Sequence, residues 1–330
     1  MTLAPSPPHR RALLGLVLAN VFWAVSFPVI KGMALVHGQL LPQSGNWFVT
    51  AMMVGPRFLL AGLFLLLWAP RVVLGTTRAE LRQGLLLGWF NALGMLFQVD
   101  GLQFTSASVS AFLTQFSALM IPIVVAIRRR RLPAPVTWLC ALMVLAGVAI
   151  LGRFDFRTFH LGRGEVETLL SSVFFMVQIF LLEGPRHAGN RVQAVSAVMF
   201  GCEGLLFAGL ALATAAQPAD LLAPWHSAPW LLSTATLTVF CTLGAFMLMN
   251  RWQPHVTATE AGLIYCLESV FAAILALFLP ALLSRWIGFD YPNEIVTWQL
   301  LAGGGLITLA NVLLQLRPSS AKATEGTAGS

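Results

Sequence analysis

Charge is what this sequence has least of. Only 10% of its 330 residues are charged, against 57% hydrophobic, and the mean hydropathy is +0.78. A soluble domain carries roughly 25% charged residues because water must solvate its surface. That deficit excludes a soluble fold of this length and points to a chain embedded in lipid. Recognisable catalytic and nucleotide motifs are missing too. There is no G-x-x-x-x-G-K-[ST], hence no ATP-driven pump of the P-loop type, and no H-E-x-x-H or G-x-S-x-G. The six histidines are scattered, and the four cysteines, Cys140, Cys202, Cys241 and Cys266, all lie in apolar runs without CxxC or metal spacing. The chain reads as a non-enzyme that needs no cofactor or metal.

What is present is a series of apolar runs, each near the roughly 20 residues that cross a bilayer. They cover 12–30, 49–68, 84–99, 107–127, 136–152, 166–182, 194–214, 230–249, 258–279 and 295–316. The first follows Arg10 and Arg11 like a signal peptide, but its length and the lack of an A-x-A site predict a retained helix. Turn residues at Pro42–Gly45, Pro133–Pro135, Gly184–Asn190 and Pro218–Pro229 punctuate the gaps. The fold class expected is therefore all-α and integral to the membrane, with ten transmembrane helices.

Net charge is +7, which in a soluble chain would suggest nucleic acid. Here the basic residues alternate by side. With the N-terminus inside, Arg10, Arg11, Arg71, Arg78, Arg82, Arg128 to Arg131, Arg186, Arg191, Arg251, Arg317 and Lys322 face the cytoplasm, fourteen in all. Arg153, Arg157, Arg163 and Arg285, four residues, face the opposite side. Cytoplasmic loops are enriched in Lys and Arg, so both termini are expected in the cytoplasm. The tail 317–330, rich in Ser, Ala, Thr and Gly, is expected to be disordered.

The two halves are related. Residues 105–127 align without a gap on 256–278, so that Ser106-Ala107-Ser108 meets Thr257-Ala258-Thr259 and Ser117 meets Glu268; Thr137-Trp138 and Thr297-Trp298 then open the next helices. Because five is odd, a second five-helix copy must enter the membrane inverted. The expected repeats are 1–152 and 153–316, and such repeats place a substrate site between them near the midplane.

Several stretches resemble the EamA-type domain of the drug/metabolite transporter superfamily. They are Phe22-Trp23-Ala24-Val25-Ser26-Phe27-Pro28, Arg57-Phe58-Leu59-Leu60-Ala61-Gly62, Thr105-Ser106-Ala107-Ser108, Leu145-Ala146-Gly147-Val148 and Cys266-Leu267-Glu268-Ser269-Val270. Arg128–Arg131 stand where that family often has Gly-Glu, and Ser269 replaces the proline of its Leu-Glu-Pro. The resemblance implies a secondary transporter of the bacterial inner membrane, often an exporter of small metabolites or drug-like molecules, with a central cavity. A membrane-embedded enzyme or a channel is the alternative.

Glu268 is the leading site candidate, ten residues after Ala258 and eleven before Leu279. A carboxylate at that depth costs roughly 2.5–3.5 kcal/mol on insertion scales, so it faces the interior, where it serves proton coupling or a structural ion pair. Arg57 and Lys31 are the available counter-charges. Arg57 is expected to pair with Glu268, bind a substrate anion or snorkel; Lys31, read as a helix end, anchors at the headgroups. Pro28 leaves a carbonyl near Ala24 without its amide partner, aiming polar backbone at a cavity beside Trp23 and Ser26. Thr114 with Ser117, and Tyr265 with Glu268, form equivalent three-residue pairs on one helix face. Asn91 and Gln115 complete the candidate set, drawn from intramembrane polar residues that also include Gln98, Gln178, Glu203, Asn250, Glu260 and Asn311. Expected partners are a small-molecule substrate, protons and the lipid bilayer; a homodimer is admissible and nucleic acid is not expected.

Overall fold

The computed structural model describes residues 7–101, 104, 113–130, 132–151, 162–183, 187, 189–288, 290–293 and 295–315. All regular structure among them is helical. The chain runs through α1 (Pro7–Leu40), α2 (Asn46–Trp68), a short α3 (Pro70–Leu74), α4 (Arg78–Gly101), α5 (Ser117–Arg129), α6 (Pro135–Leu151), α7 (Arg163–Leu182) and α8 (Val192–Thr214). It continues through α9 (Ala228–Thr236), a π-helical stretch (Leu237–Gly244) and α10 (Ala245–Trp252) without a break in direction of the backbone winding. Then follow α11 (Ala258–Tyr265), α12 (Leu267–Ala276), α13 (Leu279–Ile287) and α14 (Trp298–Gln315). The motif at Thr105–Ser108, the loop arginines Arg131, Arg153 and Arg157, and the tail after Gln315 lie outside the described residues.

Among the described residues, six stretches are long and apolar enough to cross a membrane: His9–Leu40, Asn46–Trp68, Arg163–Leu182, Val192–Thr214, Ala228–His255 and Ala258–Ala276. Pro135–Ile150 and Trp298–Leu313 are shorter apolar helices. Large apolar side chains crowd the outside, with Leu67 73%, Ile127 71% and Leu301 69% exposed, while Arg57, Asn91, Asp100 and Glu203 are buried. An apolar exterior around a polar interior fits lipid as the surrounding solvent. The chain is a multi-pass helical membrane protein.

Helix partners are set by small residues. α2 packs along α8, where a Cβ on Gly204 would come within 2.7 Å of Leu59. α4 packs against both α7 and α8; a Cβ on Gly88 would lie 2.7 Å from the Met199 carbonyl oxygen. α6 packs along α14, where a Cβ on Gly147 would lie 2.7 Å from Ile307 and 2.8 Å from the Gly303 carbonyl oxygen. α1 lies along α9, the π-helical stretch, α10 and α12. Without a hydrophobic drive in lipid, such close backbone packing supplies the attraction.

Two expectations about helix limits are corrected. Lys31 is not at a helix end: α1 continues past it to Leu40, and Lys31 rests its Nζ 5.5 Å from the Tyr291 ring centre. Pro28 is buried within this continuous helix. The span drawn as one helix over 258–279 is interrupted at Cys266, where the Cys266 amide donates to the Leu263 carbonyl in a tighter i→i+3 turn. Near Gln115 the same thing happens: the Phe116 amide donates to the Leu113 carbonyl before α5 begins. The alignment of 105–127 on 256–278 puts Gln115 opposite Cys266.

Two charged clusters tie helix ends at opposite ends of the bundle. At one, Arg191 holds the buried Glu80 with Nε to Oε1 and Nη2 to Oε2, both 2.7 Å, while its backbone N–H donates to Oε1 at 2.9 Å. Its Nη2 also donates to the Gly75 carbonyl at 2.6 Å, and Asn190 donates to Gln83 at 2.7 Å. The Arg191 guanidinium holds the Glu80 carboxyl well below the usual carboxylate range. At the other end, Arg163 at the start of α7 reaches Asp100 at the end of α4.

Candidate substrate site

Arg57 and Glu203 are the most deeply buried charges of opposite sign inside the bundle. Both are charged residues in otherwise apolar spans, on facing helices α2 and α8. Asn91 of α4 donates its Nδ2 hydrogen to Glu203 Oε2 at 2.7 Å, and Glu203 Oε1 has no hydrogen-bond partner. Arg57 lies within electrostatic range of Glu203. Its Nη2 points at the Met95 sulfur, 3.4 Å away, and its buried Nε makes no hydrogen bond. An incompletely satisfied guanidinium in a low-dielectric interior attracts any anion that can reach it. Glu203 is the carboxylate whose charge acts on Arg57, and neither it nor Glu268 forms an ion pair with Arg57 within 4.0 Å among the described residues.

An aromatic chain leads away from this cluster. Phe58, next to Arg57, packs on Phe200 at 5.8 Å and Phe246 at 5.6 Å between ring centres; Phe246 meets Trp23 at 5.2 Å, and Trp23 meets Tyr265 at 5.4 Å. The last two contacts are edge-to-face, the favoured geometry for ring quadrupoles. The Tyr265 hydroxyl donates to Gln253 Oε1 at 2.6 Å, and Gln253 Nε2 donates to the Ile179 carbonyl at 2.8 Å. Trp23 Nε1 is buried and unpartnered.

Glu268 sits in the first turn of α12, just past the interruption at Cys266, and is half-buried. Cys241 of the π-helical stretch is within electrostatic range of both Arg57 and Glu268. Its thiol approaches the Phe22 carbonyl at 3.1 Å, two residues before Ala24. Thr114 accepts from Gln98 Nε2 at 3.5 Å, while Gln115 and Ser117 are buried at the other interruption. Ser26 is half-buried beside Trp23 on α1.

The structure therefore places Arg57 within the electrostatic range of the Asn91-bound Glu203, and the aromatic chain through Phe58 and Phe246 runs from Arg57 to Trp23 and Tyr265. Thr114, Gln115 and Ser117 stand on α5 and its approach. Glu203 obeys the same rule that singled out Glu268, a carboxylate in mid-span, and could have been found by it. Phe246, Cys241 and Gln253 carried no signal of their own. No group of three or more His, Cys, Asp or Glu that could hold a metal exists among the described residues.

The EamA-like transporter family model matches residues 10–153. An "uncharacterized transporter" of Archaeoglobus fulgidus is 25% identical over 314 residues, covering 92% of this chain and 85% of that protein. A solved crystal structure, 18% identical, has a TM-score of 0.64 and covers 96% of this chain and 99% of the other; it supports the fold alone. An apolar helical exterior, a polar interior and these matches support a membrane transporter. The likeness to the EamA-like transporter family covers residues 10–153, somewhat less than half of the chain.

Proposed function

We propose that this protein is a secondary transporter of ten transmembrane helices, built as inverted repeats over 1–152 and 153–316. It exports a small metabolite or drug-like molecule across a bacterial inner membrane by alternating access, with both termini cytoplasmic and protons as the coupling ion. Glu268 is the coupling carboxylate; Arg57, Asn91, Trp23, Tyr265, Ser26, Pro28, Thr114, Gln115 and Ser117 shape the site. One observation carries the reading: the half-buried Glu268 adjoins a helix interruption, and the aligned position Gln115 in the other half is interrupted as well. Interrupted helices expose backbone groups that can bind ions and substrates at mid-membrane. Packing supports it further: α4 against α7 is the counterpart of α9–α10 against α1 when the halves are exchanged, and α2–α8 and α6–α14 are counterpart pairs.

Alternating access requires different affinities in the two orientations, and a carboxylate that binds and releases a proton supplies the difference. A thermal-shift screen against amino acids, nucleosides and amphipathic amines identifies a ligand by its stabilisation of the folded state. With that ligand in proteoliposomes, Glu268→Gln should lose transport driven by a pH gradient while retaining ligand exchange. Wild-type, pH-driven transport by a well-expressed Glu268→Gln protein would reject the coupling role.

A further inference from the structure

Two unpartnered carboxylate oxygens meet at one helix junction. Asp100 ends α4 and is wholly buried, and Arg163 Nη2 donates to its Oδ2. Glu167, one turn into α7, accepts from Arg163 Nε through Oε1 at 2.8 Å. That leaves Asp100 Oδ1 and Glu167 Oε2, both buried and neither with a hydrogen-bond donor. Arg163 bridges the two carboxyl groups by donating to both, and Glu167 acts directly on the Asp100 carboxyl. Two ionised carboxylates cannot bond to one another, and a single arginine does not neutralise both. One proton placed between them turns the repulsion into an O–H···O⁻ hydrogen bond and gives both orphan oxygens a partner.

The surroundings favour that proton. Arg163 and Glu167 of α7 are the charged groups that act on Asp100. α2 brings the Trp47 ring, 5.9 Å from the Arg163 guanidinium, and no charge before Arg57, while the Phe104 ring lies 4.2 Å from the same guanidinium. From α8, the other helix packed on α4, the one acidic side chain is Glu203, bound to Asn91. The C-terminal carbonyls of α4 disfavour a negative charge at Asp100. Burial and the facing Glu167 push the Asp100 carboxyl up from its ordinary value, against the pull of Arg163. The helices are already tight here, since a Cβ on Gly101 would stand 3.0 Å from the Gly164 carbonyl and 3.1 Å from Glu167 Cβ.

We propose that Asp100 and Glu167 bind one proton between them, and that this proton latches α4 to α7 at the end of the bundle opposite the Glu80–Arg191 clamp. On the topology proposed above, that end faces the exterior, so external acid closes the junction and neutral pH loosens it. Only the side rests on that topology.

Difference infrared spectra of the purified full chain in lipid nanodiscs test the proton directly. Wild type minus Glu167→Gln and wild type minus Asp100→Asn should each lose the same deuterium-sensitive protonated-carboxyl band in mildly acid buffer. If neither spectrum loses such a band, both groups are ionised and the proposal fails. Should either variant not fold, amide hydrogen exchange of the unmodified chain decides. After correction for the intrinsic rate, protection of 98–101 and 163–168 should fall as pH rises, while 75–83 around the clamp should not change. The same pH dependence in both regions would overturn the latch. Neither measurement needs a substrate, so a failure of the transport reading would leave it standing.

Discussion

Arg57 shows what a single residue discloses and what it withholds. Its type and depth mark it as a site candidate from sequence, because a guanidinium eight residues into an apolar run must find a partner or snorkel. Its neighbour was not legible. Glu203 and Glu268 are both mid-span carboxylates, and only the packing of α2 on α8 selects Glu203. Glu80 poses the same difficulty outside the membrane, since its partner Arg191 is 111 residues away. This pair gives a signed expectation. Glu80 is held below its ordinary value, so its contribution to stability is present above the unfolded carboxylate value, about 4.3. It is lost as pH falls below that value and through the lowered folded one. Thermal unfolding of detergent-purified protein should therefore show Glu80→Gln with a lower melting temperature than wild type at neutral pH. The difference should shrink as the buffer is taken below pH of about 4; a constant difference would remove the ion pair as its source.

At the scale of elements, hydropathy located the six long apolar helices found among the described residues because lipid demands long apolar runs, whatever the packing. It misjudged two details for a physical reason. The apolar pattern of 258–279 is unbroken, yet the helix tightens at Cys266, a residue with no breaker signal. α1 outlasts its apolar run because Lys31 finds a ring to lie on at Tyr291 and needs no helix end. Glycine positions were legible only as small residues, and contact decides which of them matter. A Cβ at Gly88 would sit 2.7 Å from the Met199 carbonyl oxygen and 2.9 Å from Cys202 Cβ, whereas one at Gly209 would meet nothing within 4 Å. Gly88→Leu should force α4 from α8 and lower stability by about 1–3 kcal/mol, the usual cost of overpacking. Gly209→Ala, on the same α8, should be neutral or stabilising by up to about 1 kcal/mol through helix propensity. Detergent-resistance melts of both variants check the pair, and equal effects would show that the close approach does not hold α4 and α8 together.

For the whole molecule, the charge count that orients the loops and the two clusters that tie helix ends describe one threading. Glu80 in the first turn of α4 and Arg191 just before α8 both belong to segments assigned to the cytoplasm by their arginines. Asp100 and Arg163 lie at the far end of α4 and the start of α7, on the side assigned to the exterior. An ion pair joins groups on the same side of a membrane, so each cluster is consistent with an alternating path through lipid, and neither fits a helix threaded the wrong way. Exposed positions beside each cluster make this testable. Ala79, next to Glu80, and Gly162, next to Arg163, both face solvent, whereas Cys140, Cys241 and Cys266 are buried and Cys202 is partly so. In a Cys202→Ala background, a membrane-impermeant maleimide should label Gly162→Cys on intact cells. Ala79→Cys should react only after the membrane is opened, and a reporter fused after Ser330 should agree with Ala79. Labelling of both cysteines on intact cells would break the threading between α4 and α7; the reverse pattern would keep the ten-helix path and invert the whole protein, placing the Asp100–Glu167 proton site inside the cell.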